Sequence, residues 1–497
     1  MKNLLDAFWF VAMTQKGSAL NATIPLIIDL DGTLINTDML HESTLQLLKK
    51  KPLDIFKIPF WLLKGKAVLK HKIAVLTQIE PGLLPYNQKL LTWLKEQREK
   101  GRRLILCTAS NIVFANAIAK YLGIFDEVIA SDHAVNLAGE HKALRLKQHF
   151  GETGFDYAGN SQSDIAVWKC ARRAIIVNAS THVTKKAREH CEVEEIFPPI
   201  KYTLSVGKKL LRIHQWLKNA LLFAPIIAAH QINNPETWLT LIIAFFSFSF
   251  CASSVYIIND LFDLDSDRHH PRKRYRPLAS GTVSTKVGIM LIPILLSLSV
   301  GLACLVNPLF LKWLLFYFTV TCAYSFGLKR LVLIDCLTLA MLYTIRILAG
   351  SAAAGLVLSF WLIAFSVFLF LSLAFVKRYA ELEMQILKGK QKAHGRSYYT
   401  TDAPLIQTMG ITSGYAAVLV LALYLNSEDV LRLYQNTAFV CGAVPVMLFW
   451  ISWMWLQAHR GKMHDDPLIF AMKDKVSLLS GMVFAGVLVI GTLGWPW

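Results

Sequence analysis

The chain carries two patterns of hydrophobic and polar positions, and the change falls near residue 200. Up to that point short apolar runs alternate with amphipathic stretches. The runs at 24–30, 104–107, 127–130 and 155–158 predict β-strands, and 86–100 and 112–122 predict helices between them. Such alternation predicts an α/β fold with a mainly parallel sheet covered on both faces. The stretch over about 39–85, rich in Leu, Lys, Phe and Trp, interrupts the alternation and reads as a small helical cap.

Beyond about residue 202 the pattern changes to long apolar runs, which predict an all-α membrane domain. Nine spans are expected, at about 215–231, 237–259, 286–305, 308–327, 332–354, 358–376, 408–425, 434–456 and 474–494. Each approaches the roughly 20 apolar residues that cross a bilayer as a helix. Loops after even-numbered spans carry Arg268, Arg272, Lys273, Arg274, Arg276, Lys329, Arg330, Lys377, Arg378, Lys388, Lys390, Lys392, Arg396, Arg460 and Lys462, whereas loops after odd-numbered spans are nearly free of such charge. This asymmetry predicts a cytoplasmic N-terminal domain on a multi-pass protein of the plasma (inner) membrane, with the C-terminus outside. The expected domains are therefore 1–200 and 205–497.

Composition agrees. Of the 497 residues 54% are hydrophobic and only 17% charged, with a mean hydropathy of +0.42. The net charge of +18 lies mainly between the spans, where it suits anionic headgroups and phosphorylated substrates, and nucleic acid is not an expected partner. The eight cysteines form no CxxC pair and no cluster with histidine, so they read as reduced and buried. Residues 1–10 hold Lys2 and an apolar patch, but Asp6 interrupts it and no small-residue cleavage site follows, so a signal peptide is not expected.

The second span ends in Asn259-Asp260-Leu261-Phe262-Asp263-Leu264-Asp265-Ser266-Asp267. On a helix Asp260, Asp263 and Asp267 share one face, where three carboxylates repel each other and lose solvation. With the Asn259 carbonyl they form a hard oxygen set suited to Mg²⁺, which commonly bridges carboxylates to a diphosphate. A solvated acidic helix end, balanced by surface pairing, is the alternative. The basic loop 268–281 follows, and in it Lys273 and Arg276 are the candidates for gripping phosphate oxygens.

NDLFDLDSD followed by HPRKRYRPLASG resembles the first aspartate-rich motif of the UbiA superfamily and its basic loop. The resemblance covers about 205–497 and implies a nine-helix membrane transferase whose motifs converge on a cytoplasm-facing cavity, with Mg²⁺ holding a departing diphosphate. Three stretches look like the decaprenyl-phosphate phosphoribosyltransferase branch. They are Gln215-Trp216-Leu217-Lys218-Asn219, Tyr324-Ser325-Phe326-Gly327-Leu328-Lys329, and Lys377-Arg378-Tyr379-Ala380-Glu381 with Arg396 and Tyr399 downstream. Aromatic prenyltransferases usually carry a second aspartate cluster where this chain has KRYAELE. The branch implies phosphoribosyl pyrophosphate as donor and a polyprenyl phosphate as acceptor. Lys218, Lys329, Lys377 and Arg378 would hold these phosphates, with Asn219, Tyr324 and Glu381 as further substrate contacts. Arg346, deep in the fifth span, is an intramembrane cation and so a site candidate. Asp335 is a possible partner, and neither is assigned a role.

In the soluble half, Asp29-Leu30-Asp31-Gly32-Thr33 follows the first strand. Carboxylates at i and i+2 there suit a nucleophile and an acid/base, because ligands bind at the carboxyl ends of such strands. DxDGT resembles motif one of the haloacid dehalogenase superfamily, and Cys107-Thr108-Ala109-Ser110, Lys142 and Gly159-Asn160-Ser161-Gln162-Ser163-Asp164 resemble its later motifs. The resemblance implies Asp29 as nucleophile, Asp31 as acid/base, a Thr108 hydroxyl on phosphate and Lys142 steadying the intermediate. Asp29, Asp31 and Asp164 would form a Mg²⁺ site. Asn160 stands where many members have another aspartate, and a degenerate domain kept for folding or regulation is the other reading. For the whole chain two more remain open. One is transfer of a prenyl chain from prenyl diphosphate to an aromatic or other acceptor; the other is a non-catalytic transporter with a regulatory soluble domain.

Overall fold

The computed structural model describes residues 24–357, 359–387, 389, 397–427, 434–463 and 466–493. Lys388, Lys390, Lys392, Arg396 and the stretch 1–10 lie outside the described residues. The chain forms two compact units. The first runs to Leu211 and also takes in Ile257–Leu291; the second comprises Arg212–Tyr256 and the chain from Ile292 onward. The aspartate-rich motif and its basic loop thus belong to the unit that holds the parallel sheet.

The first unit holds a six-stranded sheet, β1 (Leu26–Ile28), β2 (Leu104–Asn111), β3 (Glu127–Ser131), β4 (Asp156–Gly159), β5 (Arg173–Val177) and β6 (Glu192–Phe197). All pairings are parallel and the spatial order is β3-β2-β1-β4-β5-β6. Alternate residues feed two cores. Leu26, Ile28, Leu104, Leu106, Ile175 and Val177 enter one, while Ile27, Ile105, Cys107, Tyr157 and Ile176 enter the other. Each buried Leu or Ile contributes about 1.5–3 kcal/mol, which fixes the register of the central strands. The chain leaves β1 toward β2 on one side and returns to β4 on the other. A crevice opens at the carboxyl end of β1, where the direction of winding reverses.

Strands β5 and β6 go beyond the four expected. The cap over about 39–85 is helical, with Met39–Lys50, Ile58–Leu63 and Lys66–Leu76, and 3₁₀ turns at Pro52–Lys57 and Pro81–Leu83. Its first helix begins where the Asp38 carboxylate accepts from the Leu40 and His41 N–H groups.

Eight helices among the described residues are long and apolar enough to cross a membrane, from Pro235–Phe262 to Lys475–Leu493. The protein is a multi-pass membrane protein. The first expected span, 215–231, is a correction. Ile213–Phe223 forms 3₁₀ turns and only Ala224–Ala228 is α-helical. Pro225 has no N–H to bond the Leu221 carbonyl, which favours a break in the helix at this point. The helix expected to end near 376 continues as Phe360–Ile386, carrying Lys377, Arg378 and Glu381 on its last turns. Within the second unit, Ser247 and Ser299 each donate to the other's carbonyl, at 2.8 and 2.7 Å, satisfying hydroxyls that lipid cannot.

Candidate active sites

Asp29 follows β1 and is buried in the crevice. Its Oδ1 accepts from Lys142 Nζ at 2.6 Å, and the same nitrogen lies 3.9 Å from Asp164. Lys142 comes from the helix Glu140–Phe150, and Tyr157 completes the cluster by accepting from Lys142 at 2.9 Å and donating to Asp164 at 2.8 Å. Burial pushes the Asp29 carboxyl up to about 6, against the downward pull of the Lys142 charge. Burial alone would lower the Lys142 ammonium, but Asp29 and Asp164 hold it well above its ordinary value.

Asp31 faces other partners. Ser110 Oγ donates to its Oδ2 at 2.6 Å and the Met39 N–H to its Oδ1 at 2.8 Å. Burial first, then the Asp38 and Asp29 charges, push its carboxyl up to about 7. A carboxyl in that range exchanges protons near neutral pH, as an acid/base requires. Gly32 between the two has φ +76°, and a Cβ there would lie 2.1 Å from Asn160 Nδ2, so only glycine lets the loops close. Thr108 is buried and its hydroxyl accepts from the Ser110 N–H at 2.9 Å, which positions Ser110. Asn160 and Ser161 both donate backbone N–H groups to Asp164.

At the aspartate-rich motif the helix Pro235–Phe262 breaks at Asp263, and Leu264–His269 resumes it. Backbone hydrogen bonds still cross that residue, from the Asp263 N–H to the Asn259 carbonyl and from the Asp267 N–H to the Asp263 carbonyl, but the three carboxylates take different partners. Asp260 and Asp267 are buried and converge on one nitrogen, Arg276 Nη1, at 2.9 and 2.6 Å. Burial raises the Asp267 carboxyl, against the pull of Arg276. Asp263 turns instead to Lys49 of the cap, 3.6 Å away, and Lys49 also donates to the Phe262 carbonyl at 2.8 Å. Lys273 reaches Asp267 only at 4.0 Å, and Asn259 is half-buried on the last turns of the helix.

No group of three acidic, histidine or cysteine side chains among the described residues is gathered closely enough to hold a metal. Each expected set offers two carboxylates at most. Asp31 is turned to Ser110 and Met39, and Asp263 to Lys49. The remaining pairs, Asp29 with Asp164 and Asp260 with Asp267, each already converge on a cation. Two carboxylates plus substrate phosphates suit Mg²⁺, which keeps several waters, so both pairs fit it.

A third cluster lies in the second unit. Asp466 Oδ2 accepts from Lys218 at 2.7 Å and Lys377 at 3.3 Å, and Tyr343 donates to Asp466 at 3.1 Å. Burial would raise the Asp466 carboxyl, but the Lys377 and Lys218 charges hold it far below the carboxylate range. Arg346 donates to Asn219 at 2.9 Å and Tyr317 at 3.0 Å, and Asn219 donates to Ser249 at 2.9 Å. Arg378 is fully buried, with Nε 2.8 Å from Asp335 and Nη1 paired to Glu381. Its Nη2 finds no hydrogen-bond partner among the described residues. Tyr324 is half-buried near the end of Pro308–Phe326, and Lys329 follows in a 3₁₀ turn.

The UbiA prenyltransferase family model matches residues 220–491, more than half of the chain. The chain belongs to the UbiA prenyltransferase family. A haloacid dehalogenase-like hydrolase model matches residues 63–169, so this UbiA-family protein carries a haloacid dehalogenase-like domain toward its N-terminus. It is 36% identical to an uncharacterized protein, y4nM, of Sinorhizobium fredii over 94% of this chain and 91% of the relative. It is also 36% identical to the nodulation protein NoeC of Azorhizobium caulinodans over 54% of this chain and 87% of that one. Identity to the decaprenyl-phosphate phosphoribosyltransferase of Corynebacterium glutamicum is 35% over 41% of this chain and 63% of the relative.

Sequence reasoning missed Asp466, Tyr343 and Tyr157 in these clusters. Asp466 had one usable signal, an acid directly before Pro467 at a helix start.

Proposed function

We propose that the protein transfers a 5-phosphoribosyl group from phosphoribosyl pyrophosphate to a polyprenyl phosphate, and that its haloacid dehalogenase-like domain then removes the 5-phosphate. The observation that carries the first half is the Asp466 cluster. Lys218 and Lys377 both pair with the single Asp466 carboxylate, and Arg346 lies near enough to Lys218 to repel its charge, which leaves an excess of positive charge for anionic substrates. The identity to a decaprenyl-phosphate phosphoribosyltransferase supports this choice of donor and acceptor.

In the transfer, an oxygen of the lipid phosphate attacks C1 of the phosphoribosyl group. The C1–O bond to pyrophosphate breaks, and pyrophosphate leaves with the electron pair. Asp260 and Asp267 would hold Mg²⁺, which neutralises charge on the leaving group. Lys218 and Lys377 bind and orient phosphate oxygens, and Lys273 and Lys329 add cationic contacts. The attacking oxygen is already anionic and needs no base.

In the second reaction an Asp29 oxygen bonds to the phosphorus of the 5-phosphate and the ester P–O bond breaks. Asp31 gives its proton to the departing sugar oxygen. Asp31 then takes a proton from water, which attacks the aspartyl-phosphate, releases phosphate and restores Asp29. Asp29 and Asp164 would hold Mg²⁺, which offsets phosphate charge, and Lys142 steadies the intermediate. On this reading the N-terminal domain works on the cytoplasmic side of the plasma membrane.

Purified protein given phosphoribosyl pyrophosphate labelled with ³²P at the 5-position, with polyprenyl phosphate and Mg²⁺, tests both halves. Wild type is expected to release inorganic ³²P after a lag, and Asp29→Asn to leave the label on the lipid. Consumption of prenyl diphosphate with no use of phosphoribosyl pyrophosphate would overturn the first half. Retained label in wild type as in Asp29→Asn would overturn the second.

A further inference from the structure

A cavity of about 320 Å³ opens beside Asp31, and its far wall comes from the segment that follows the aspartate-rich motif. Asp31, His41 and Asn160 line one side; Thr282, Thr285 and Lys286 line the other, all within the first unit. The segment is seated firmly. Gly281 has φ +69°, and a Cβ there would lie 2.8 Å from Asn36 Cβ and 2.9 Å from Pro85 Cβ. Arg268 Nε donates to the Ala279 carbonyl at 3.0 Å while the same guanidinium is paired with Glu42 of the cap.

Three features of that wall suit an anion. The helix Thr285–Val306 begins there; Ser284 takes the Val287 N–H on its hydroxyl and the Gly288 N–H on its carbonyl, which leaves the N–H groups of Thr285 and Lys286 as the ones a ligand could use. The Thr285 hydroxyl is buried, at 1% exposure, and finds no hydrogen-bond partner among the described residues. A buried hydroxyl of that kind calls for a ligand or water. Lys286 supplies a full positive charge to the cavity, near enough to His41 to act on its ring. Asp31 and Asp38 also line the cavity and repel an anion, which favours Thr285 and Lys286 as the place for a second negative group.

We infer that Thr285 and Lys286 form a second anion subsite of the dephosphorylation pocket, taking the phosphodiester that links the sugar to the lipid while the 5-phosphate is presented to Asp29. The inference rests on the phosphatase reading above and adds the recognition of its substrate. A phosphoribosyl lipid carries one anion at each end of the ribose, and the two walls divide the work. Asp29, Asp31 and Lys142 act on one end, and the start of the helix after the transferase motif holds the other. The cavity is at the small end of ligand pockets, about 300–1,000 Å³, so it suits a sugar-phosphate headgroup and leaves a polyprenyl chain outside. The membrane sequence thus selects the substrate of the soluble domain.

The test compares phosphate release from phosphoribosyl polyprenyl phosphate, phosphoribosyl pyrophosphate and ribose 5-phosphate by the full chain in lipid nanodiscs with Mg²⁺. In Lys286→Ala the ratio of kcat/KM for the lipid over ribose 5-phosphate is expected to fall at least tenfold through KM, with Thr285→Val lowering it less and Lys286→Arg keeping most of it. An equal fall for phosphoribosyl pyrophosphate supports a subsite that reads the second anion whether or not lipid is attached. A ratio that does not change, or a loss shared equally by ribose 5-phosphate, overturns the subsite alone. Wild type that releases phosphate from none of the three overturns the phosphatase reading, and the subsite with it.

Discussion

Arg268 and Glu42 face each other through two parallel hydrogen bonds, Nη1 to Oε2 at 2.8 Å and Nη2 to Oε1 at 2.6 Å, and both side chains are buried. Thr37 adds a third donor to the same carboxylate at 2.6 Å. Arg268 directly follows Asp267, so the first cap helix is tied to the last acid of the aspartate-rich motif. Removing one partner strands a buried charge, which costs about 3–5 kcal/mol. Glu42→Ala and Arg268→Ala are each expected to loosen Ile257–Leu291, with faster proteolysis within that segment. Replacing both by Leu and Met should recover most of the loss. Single variants that resist protease as wild type does would show that the pair holds nothing together.

The two carboxylates after β1 have different surroundings and should fail differently. Asp29→Asn removes the group that bonds to phosphorus, and phosphate release should become undetectable. Asp31→Asn removes only proton transfer, worth about 10²–10⁴-fold. Leaving-group dependence separates them, because a substrate with an acidic leaving group, such as p-nitrophenyl phosphate, needs less protonation. Asp31→Asn should therefore be partly rescued in the first turnover on that substrate and Asp29→Asn should not. Equal losses on both substrates would remove the assigned division of roles.

Asp31 also sets a pH dependence of stability. Its carboxyl sits at about 7 in the folded protein against an ordinary 3.8, so it holds its proton more tightly when folded. The resulting stabilisation is complete below pH 3.8 and is lost as pH rises through about 7. Each tenfold difference in proton affinity is worth about 1.4 kcal/mol. With Mg²⁺ removed by chelator, the soluble domain should melt at a lower temperature at pH 8 than at pH 5, and Asp31→Asn should flatten that slope. A slope of the same size in Asp31→Asn would assign it to other groups.

Much of this fold was readable because its signals were local. The central strands announce themselves as apolar runs, and Asp29 and Asp31 mark the crevice, since a carboxylate pair after a buried strand has few structural uses. Strand β6 did not show, because Glu192, Glu194 and Glu195 break any apolar run, while its pairing with β5 and the packing of Val193, Ile196 and Phe197 are tertiary. The interruption at Asp263 was invisible for another reason. It is stabilised by Lys49, more than two hundred residues earlier in the chain, whose ammonium takes the Phe262 carbonyl and faces the Asp263 carboxylate. Arg378 and Asp335 were each conspicuous as polar groups near apolar runs, but their pairing depends on how two helices pack. Charge type is legible from sequence; charge partnership is a tertiary property.

The convergence of Asp260 and Asp267 on Arg276 predicts how the transferase should respond to metal. Asp260→Asn and Asp267→Asn each halve the negative charge facing the cation, so the concentration of Mg²⁺ needed for half-maximal transfer should rise at least tenfold. Asp263→Asn should shift it less, because that carboxylate faces Lys49. Titrating Mg²⁺ in the phosphoribosyl-transfer assay reads this order. A larger shift from Asp263 than from Asp260 or Asp267 would place the metal elsewhere.

Asp466 decides whether the two lysines act as a positioned pair. Its Oδ2 is 2.7 Å from Lys218 and 3.3 Å from Lys377, so one carboxylate keeps two ammonium groups near each other in spite of their repulsion. Asp466→Asn keeps the shape and removes the charge, and the lysines should then separate. A hydrogen bond to a charged group contributes about 1.5–3 kcal/mol, which predicts a loss of roughly 10- to 100-fold in transfer. The loss should appear mainly as a raised KM for phosphoribosyl pyrophosphate, since the lysines bind phosphate oxygens before and during reaction alike. Asp466→Glu restores the charge and should recover part of the activity. Raising ionic strength is not expected to rescue Asp466→Asn, because the cluster is buried and poorly screened. Asp466→Asn with a wild-type KM and rate would mean that substrate itself arranges Lys218 and Lys377, and that the carboxylate only balances charge in the free protein.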